Sequence, residues 1–322
     1  MTYITVKDFY REQKDNFELQ FISGQDGADL RKISVPDINR PGLAISGFLD
    51  YFAHERVQVL GLTELSYLKK MTPVQKEKIF KKLLSFKVPC FIISRRLACP
   101  KELLNESVKR GVPVLSTKMM TTKLVSELLL YLEDKLAPQS TMHGVLVDIY
   151  GIGVLILGKS GLGKSECALE LVSHGHRLIA DDVVEIKRTT EKTLIGSGSE
   201  IIKHHMEIRG LGIIDVKNLF GVRAVRDRIR IELVVQLEEW DDSKDYDRLG
   251  LDEEGYEILG TNISKIVLPL RPGRSSAVFL EVAAMNQRLK KMGHHTAREF
   301  NQRIQERMIN KASESIKKDP ER

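Results

Sequence analysis

Eight consecutive residues, Gly158-Lys159-Ser160-Gly161-Leu162-Gly163-Lys164-Ser165, satisfy the phosphate-loop pattern G-x-x-x-x-G-K-[ST] in full. Each part has a chemical task. The glycines let the backbone curl so that successive N–H groups converge on phosphate oxygens. Lys164 offers an ammonium to the β and γ phosphates, and the Ser165 hydroxyl can ligate Mg²⁺. A helix starting here adds its positive N-terminal end. The flanking sequence supplies that context: Val154-Leu155-Ile156-Leu157 reads as a strand, and Glu166 to Ser173 as an amphipathic helix. A chance Gly-rich turn would need neither flank, so the segment predicts nucleotide binding.

Two acids follow early. Leu178-Ile179-Ala180-Asp181-Asp182 is an apolar strand start ending in paired carboxylates. Ordinary P-loop enzymes carry their magnesium-linked Asp at the end of a later strand, whereas here the acids come directly after the first helix. One carboxylate can hold the metal shell and the other can take a proton from a substrate hydroxyl. The bland alternative is a pair of solvated loop acids.

Further along, Met206-Glu207-Ile208-Arg209-Gly210-Leu211-Gly212-Ile213-Ile214-Asp215 alternates charged and apolar residues across two glycines. It reads either as a strand with a turn or as a site segment in which Glu207 ligates Mg²⁺ and Arg209 faces phosphate. Arg248 stands in an acidic, polar loop, either as a counter-charge or as an arginine for a transferring phosphoryl group. Arg271-Pro272-Gly273-Arg274-Ser275-Ser276 ends a strand in a basic turn, where arginines can meet phosphate or an acidic partner. His143, ahead of the P-loop strand, is a lone histidine, more often structural than catalytic. His174 and His176 flank Gly175 at a helix end, where a cap or dipole role suffices. His204-His205 and His294-His295 are adjacent pairs, whose side chains diverge in a strand and rarely chelate one ion.

The elements that must position these groups fall into an α/β pattern of two domains. A seam at Ala137-Pro138-Gln139-Ser140 follows a leucine-periodic helix, Thr121 to Leu136. It divides an N-terminal open α/β domain, residues 1–136, from a catalytic domain, residues 137–312, and a polar tail, residues 313–322. In the first, strands are expected at Leu19 to Ile22, Val57 to Leu60, Cys90 to Ile93 and Val112 to Leu115; the last is weakened by Pro113. Thr72-Pro73-Val74-Gln75 is a capping box with Pro at the first helical position. This domain shows no catalytic constellation, leaving assembly, regulation and docking open as its role. In the second, Gly144 to Leu157 is almost continuously apolar. Leu178 to Ile186, Arg228 to Leu237, Ile266 to Leu270 and Ala277 to Glu281 read as strands. Helices are expected at Lys164 to Ser173, from about Val282 onward, and from Ala297 to about Asn310 behind a capping box at Thr296-Glu299. Lys311 to Arg322 should fray.

Bulk properties set the frame. The chain has 322 residues, 42% hydrophobic and 29% charged, enough for two domains with real cores. No run approaches the ~20 apolar residues of a membrane span, and no signal core opens the chain, which places it in the cytoplasm. Three cysteines lack metal-ligand spacing, and Cys90 and Cys167 sit in apolar periodic segments as buried thiols. The net charge of +6 is spread along the chain without a basic block, so nucleic acid is not expected as a partner.

Taken together, His143-Gly144, Gly158 to Ser165, Asp181-Asp182, Met206 to Ile214, Tyr246-Asp247-Arg248-Leu249-Gly250 and Arg271 to Ser276 resemble the HPr kinase/phosphorylase family of low-GC Gram-positive bacteria. The resemblance covers most of the chain. Asp215 departs from the Asn of some relatives. It implies ATP-dependent phosphorylation of a serine on the phosphocarrier HPr, and removal of that phosphate by inorganic phosphate to give pyrophosphate. It further implies a hexamer, control by fructose 1,6-bisphosphate, and a P-loop kinase core resembling phosphoenolpyruvate carboxykinase. By the same resemblance the catalytic residues are His143, Lys164, Asp182 and Arg248, magnesium falls to Ser165 and Glu207, and Arg271 to Ser276 serves dephosphorylation. Two other readings stay open: a carboxykinase-like small-molecule kinase, for which a persuasive metal set is missing, and a nucleotide-sensing regulator without catalysis, for which the acids beside the loop would be unneeded.

Overall fold

The long apolar runs of this sequence become strands covered on both faces, and alternation within each run decides which core a side chain enters. The computed structural model describes residues 2–189, 193–244, 246, 254–270 and 275–318. The chain divides into two compact units, Met1–Pro138 and Gln139–Arg322.

In the first unit, five strands form one sheet in the order Gln20–Ser23, Val114–Ser116, Phe91–Ile93, Val57–Leu60, Ile38–Asn39. The last four run parallel and the first is an antiparallel edge. Val57, Val59, Ile92 and Leu115 enter a core closed by Leu124, Leu128 and Leu132 of the helix Thr121–Leu136. Leu60, Phe91, Ile93 and Val114 enter another, closed by Leu68, Phe80, Leu83 and Leu103. The Thr72 box forms: the Gln75 N–H donates to Thr72 Oγ1 at 3.3 Å, and the Thr72 N–H to Gln75 Oε1 at 2.8 Å. Pro113 sits just before its strand, where its missing N–H costs no ladder bond.

In the second unit, the spine is the strand Arg228–Glu239. Its first residues pair antiparallel with Leu194–Gly198, and its remainder lies parallel between Ile152–Leu157 and Thr261–Leu270. Beyond Ile152–Leu157 come Val145–Ile149 and then Arg177–Ala180. The apolar run from Gly144 to Leu157 is therefore a hairpin, turned at Tyr150-Gly151, where both residues have positive φ. Val145, Val147, Val154 and Ile156 face a core shared with the helices Lys164–Ser173 and Ser276–Lys291. Leu146, Leu155 and Leu157 face the opposite core.

Four expectations are corrected here. Leu178 to Ile186 is two strands, Arg177–Ala180 and Val183–Arg188, broken at Asp181-Asp182. Ala277 to Glu281 lies inside the helix Ser276–Lys291, which starts well before Val282. Ser275 caps it by accepting the Val278 N–H, and the small buried residues Ala277 and Ala284 let it pack closely, outweighing the local β-like pattern. The last helix, Thr296–Lys318, continues through residues expected to fray, because no Gly or Pro interrupts it. Its start is also different: Glu299 Oε1 accepts the His295 N–H at 3.1 Å, rather than closing a box with Thr296.

Candidate functional site

The loop Gly158 to Ser165 leaves the strand Ile152–Leu157 and enters the helix Lys164–Ser173, and three of its glycines take positive φ: Gly158 (153°), Gly161 (89°) and Gly163 (76°). Gly158 is required twice over, since a methyl group there would stand 2.9 Å from the Leu237 carbonyl oxygen. Lys164 Nζ donates to the carbonyls of Gly158 and Lys159, each at 3.0 Å, which holds the ammonium across the loop. Lys159, Ser160 and Gly161 are exposed.

The strand Arg177–Ala180 runs parallel to the loop strand, two places away in the sheet, so its carboxyl end delivers the acid pair to the same edge. The two aspartates then part. Asp181 is buried at 5% exposure; its Oδ1 accepts the Ser165 hydroxyl at 2.9 Å and its Oδ2 the Glu207 N–H at 3.2 Å. Burial raises its carboxyl above the ordinary aspartate value, against the pull of those two bonds, and the neighbouring Asp182 charge adds to the rise. Asp182 points outward, its side chain 74% exposed, on a backbone at φ 65°. Its carboxylate lies 3.6 Å from His143 Nδ1. Strand pairing makes this meeting possible: Val183 lies opposite His143, and the Gly144 N–H donates to the Asp182 carbonyl at 3.0 Å. A methyl group on Gly144 would reach 2.7 Å from the Ile156 carbonyl oxygen, so a glycine lets the histidine's strand cross close beside the loop strand.

Glu207 and Arg209 come from a β-hairpin in which His205–Ile208 pairs with Gly212–Asp215. Met206 and Ile208 anchor it in the helix-side core, leaving Glu207 exposed. Both terminal guanidinium nitrogens of Arg209, Nη1 and Nη2, lie 3.5 Å from where a methyl on Gly161 would stand, so the arginine lies against the phosphate loop. The strand-with-turn reading of this segment is the one the backbone adopts. Asp215 caps the short helix Val216–Phe220 by accepting the Asn218 N–H at 2.9 Å, a task Asn also performs.

Arg248 and the residues Arg271, Pro272, Gly273 and Arg274 lie outside the described residues. Ser275 and Ser276 are described and join the loop helix: Ser275 Oγ donates to Glu170 Oε1 at 2.7 Å, and Ser276 hydrogen-bonds Cys167. Sequence reasoning missed this seam, and the role of Glu281 below it. His174 Nδ1 and His176 Nε2 both bond Glu281 Oε1, at 2.9 and 3.0 Å, tying the same two helices together. Burial alone would raise the Glu281 carboxyl, but the two histidine bonds outweigh it and leave it lowered. Only the H-x-H spacing at a helix end hinted at a shared partner.

For magnesium, the hard oxygens at hand are the Ser165 hydroxyl, bonded to the buried Asp181, and the exposed carboxylate of Glu207, whose backbone N–H bonds the same aspartate. They fit an ion that keeps waters and phosphate oxygens in its shell. Among the described residues no group of three or more His, Cys, Asp or Glu is placed to form an all-protein cage.

A phosphate loop whose serine is bonded to a buried aspartate, with an exposed aspartate beside it, defines a P-loop phosphotransferase. Residues 134–304 match the family described as HPr Serine kinase C-terminal domain, and residues 4–132 the HPr Serine kinase N terminus. A protein of Bacillus cytotoxicus named HPr kinase/phosphorylase is 53% identical over 290 residues, 90% of this chain and 94% of its own. One of the same name from Bacillus mycoides is also 53% identical over the same shares. The solved structure of the Hpr(Ser) kinase/phosphatase from Coxiella burnetii has 36% identity, covers 50% of this chain and 98% of its own, and superposes with a TM-score of 0.46. The chain belongs to the HPr serine kinase family.

Proposed function

We propose that this protein transfers the γ-phosphoryl group of Mg-ATP to a serine of the phosphocarrier HPr, and removes it again with inorganic phosphate, releasing pyrophosphate. The observation that carries the reading is the division of labour at Asp181-Asp182: one carboxylate is spent on the loop serine, and the next stands open beside the phosphate loop.

In the forward direction, Asp182 accepts the proton of the HPr serine as its oxygen attacks the γ-phosphorus. The loop N–H groups, Lys164 and Arg248 hold the phosphoryl oxygens and the charge that shifts among them. His143, 3.6 Å from Asp182, orients that carboxylate. Asp181 fixes the Ser165 hydroxyl, so that Ser165 and Glu207 would hold magnesium, which would supply charge neutralisation at the phosphates. In reverse, the loop seats inorganic phosphate. An oxygen of that phosphate attacks the phosphoserine phosphorus, the P–O bond to serine breaks, and Asp182 returns the proton to the departing serine oxygen. One carboxylate serves both reactions, as acceptor of the serine proton in the first and its donor in the second. Arg209, against Gly161, adds a second cation to the loop, and Arg271 to Ser276 form the segment assigned to dephosphorylation.

To the same proposal belong a cytoplasmic site of action, assembly as a hexamer, and control by fructose 1,6-bisphosphate. No helix among the described residues is long and apolar enough to cross a membrane. Light scattering and effector titration test the last two. The central experiment mixes the protein with Mg-ATP and HPr and follows serine phosphorylation by mass. Inorganic phosphate is then added. Loss of the 80 Da increment with release of pyrophosphate is expected, the increment being that of one phosphoryl group, roughly 80 Da. Release of no pyrophosphate, or no modification of HPr, overturns the reading.

A further inference from the structure

The phosphate loop sits in the middle of its sheet edge, and the two sides of that edge differ. On one side, two strands away, stand the carboxylates of Asp181 and Asp182. This side takes the reacting end of the nucleotide. The nucleotide's other end must leave toward the opposite side, over the carboxyl ends of Arg228–Glu239 and Thr261–Leu270. Open α/β sheets seat ligands at that edge.

A cleft of about 120 Å³ lies there. Leu157 is opposite Gln236, and Gln236 opposite Val267, so the cleft's strand wall, Leu268 to Leu270, is two strands, roughly 10 Å, from the loop strand. Trp240 forms a second wall and Phe279 a third. The Trp240 N–H donates to the Leu270 carbonyl at 3.2 Å, and its indole N–H donates to Asp242 Oδ1 at 2.6 Å, so the ring is fixed. Phe279 is 46% exposed, large for a phenylalanine on a packed helix. The lining residues carry no charge, and the two serine hydroxyls among them are engaged with Glu170 and Cys167. Among the described residues, such a lining suits a flat neutral ring.

We propose that the cleft between Trp240, Phe279 and the strand end Leu268 to Leu270 receives the nucleobase of ATP. The inference rests on the nucleotide-binding reading of the loop above. It gives the two opposite reactions different needs: ATP has a base to place in the cleft, whereas phosphate and pyrophosphate have none. Reversal of the phosphorolytic step makes pyrophosphate a phosphoryl donor that has no base, which provides the control.

The test is calorimetric titration of the full chain with Mg-ATP and with Mg-pyrophosphate, for the wild type, Trp240→Ala, Trp240→Phe and Phe279→Ala. Base stacking on an aromatic side chain is strong enough that Trp240→Ala should weaken ATP at least ten-fold, with pyrophosphate changed less than two-fold. Trp240→Phe should restore most of the ATP affinity. Phe279→Ala, on the facing wall, should repeat the selective loss and stands in if Trp240→Ala does not fold. ATP affinity within two-fold of wild type in both alanine variants overturns the proposal, and so does parallel weakening of both ligands. If the wild type binds both ligands but fails to phosphorylate HPr, the functional reading falls while this measurement still decides the cleft.

Discussion

Both units present a sheet edge where parallel strands end, and both edges hold polar residues in left-handed conformations, yet the two treat their carboxylates differently. In the first unit Glu64, Ser94 and Thr121 at the edge find their partners within the fold. Glu64, 5% exposed, accepts the Gly61 N–H at 2.9 Å and pairs with Arg40 at 2.8 Å. Ser94 and Thr121 share a hydroxyl bond at 2.7 Å. Arg95 and Arg96, at φ 60° and 51°, have their N–H groups held by the Met119 and Thr117 carbonyls, and the Arg96 side chain bonds Gln20. In the second unit the edge is more open: Asp182 and Glu207 are exposed, and among the described residues Lys164 is held by loop carbonyls. Backbone strain is common to both edges. What separates them is whether the carboxylates at the edge are tied down by the fold, as Glu64 is, or stand exposed, as Asp182 and Glu207 do.

The comparison breaks first at Asp182. Asp182→Asn removes the proton acceptor while keeping the shape, so both phosphorylation and phosphorolysis should fall by ~10²–10⁴-fold. Titration should show ATP affinity changed little, because the loop is untouched. Near-normal turnover in either direction would remove Asp182 from the mechanism.

Asp181→Asn should cost less activity, roughly 10–100-fold, because it acts through Ser165. Its effect on stability has the opposite sign. The folded carboxyl has a raised pKa, so the native state holds the proton more firmly than the unfolded chain. Stability therefore declines as pH rises from the unfolded value to the raised native one, and above that window the ionised group is a cost. The asparagine variant should melt no lower than the wild type at neutral pH and lose its advantage in acid. A clear fall in the neutral melting temperature would mean that the Ser165 and Glu207 bonds outweigh the burial.

At the closed edge the pattern inverts. Glu64→Ala strands the buried Gly61 N–H and frees Arg40, which is half exposed, so the loss should be about 2 kcal/mol. Differential scanning calorimetry should register it as a fall of roughly 5–10 °C in the midpoint of the affected transition. Affinity for ATP should stay within two-fold. A catalytic effect without destabilisation would show that the first edge is not merely structural.

How far the sequence told the two edges apart follows from what each depends on. The phosphate loop was legible because its chemistry needs a fixed residue order between a strand and a helix, and all of that is local. The acid pair was legible as a pair, but not its division. That division depends on Ser165 and the Glu207 N–H arriving from elsewhere in the chain. The break between Arg177–Ala180 and Val183–Arg188 was hidden because apolar residues flank both aspartates, and only the left-handed turn at Asp182 separates the strands. The strand Gln139–His143 was hidden in the seam, since its pattern is polar and its partner, Val183–Arg188, is distant in sequence. Ala277 to Glu281 misled in the other direction, because the adjacent Val278 and Phe279 are residue types that favour a strand, while the deciding contacts, with Cys167, Ala168 and Leu171, come from another helix. Glu281 itself joined no motif, as its histidines lie about a hundred residues earlier.

The smallest expected effect sharpens the same contrast through the cysteines. Burial pushes Cys90 and Cys99 up to about 12 and Cys167 up to about 11. At pH 7 the thiolate fraction at the first two is on the order of 10⁻⁵, so a disulfide reagent should modify the native chain very slowly and the denatured chain at once. Cys167 lies one turn into the helix that begins at Lys164, and its labelling reports opening of that helix. A ligand that occupies the open edge stabilises the closed form by mass action. Saturating Mg-ATP should therefore slow Cys167 labelling several-fold while leaving Cys90 and Cys99, in the first unit, at their original rates. Equal protection of all three would mean that nucleotide binding at the loop is felt across the whole chain, and the division between an open and a closed edge would then be one of composition alone.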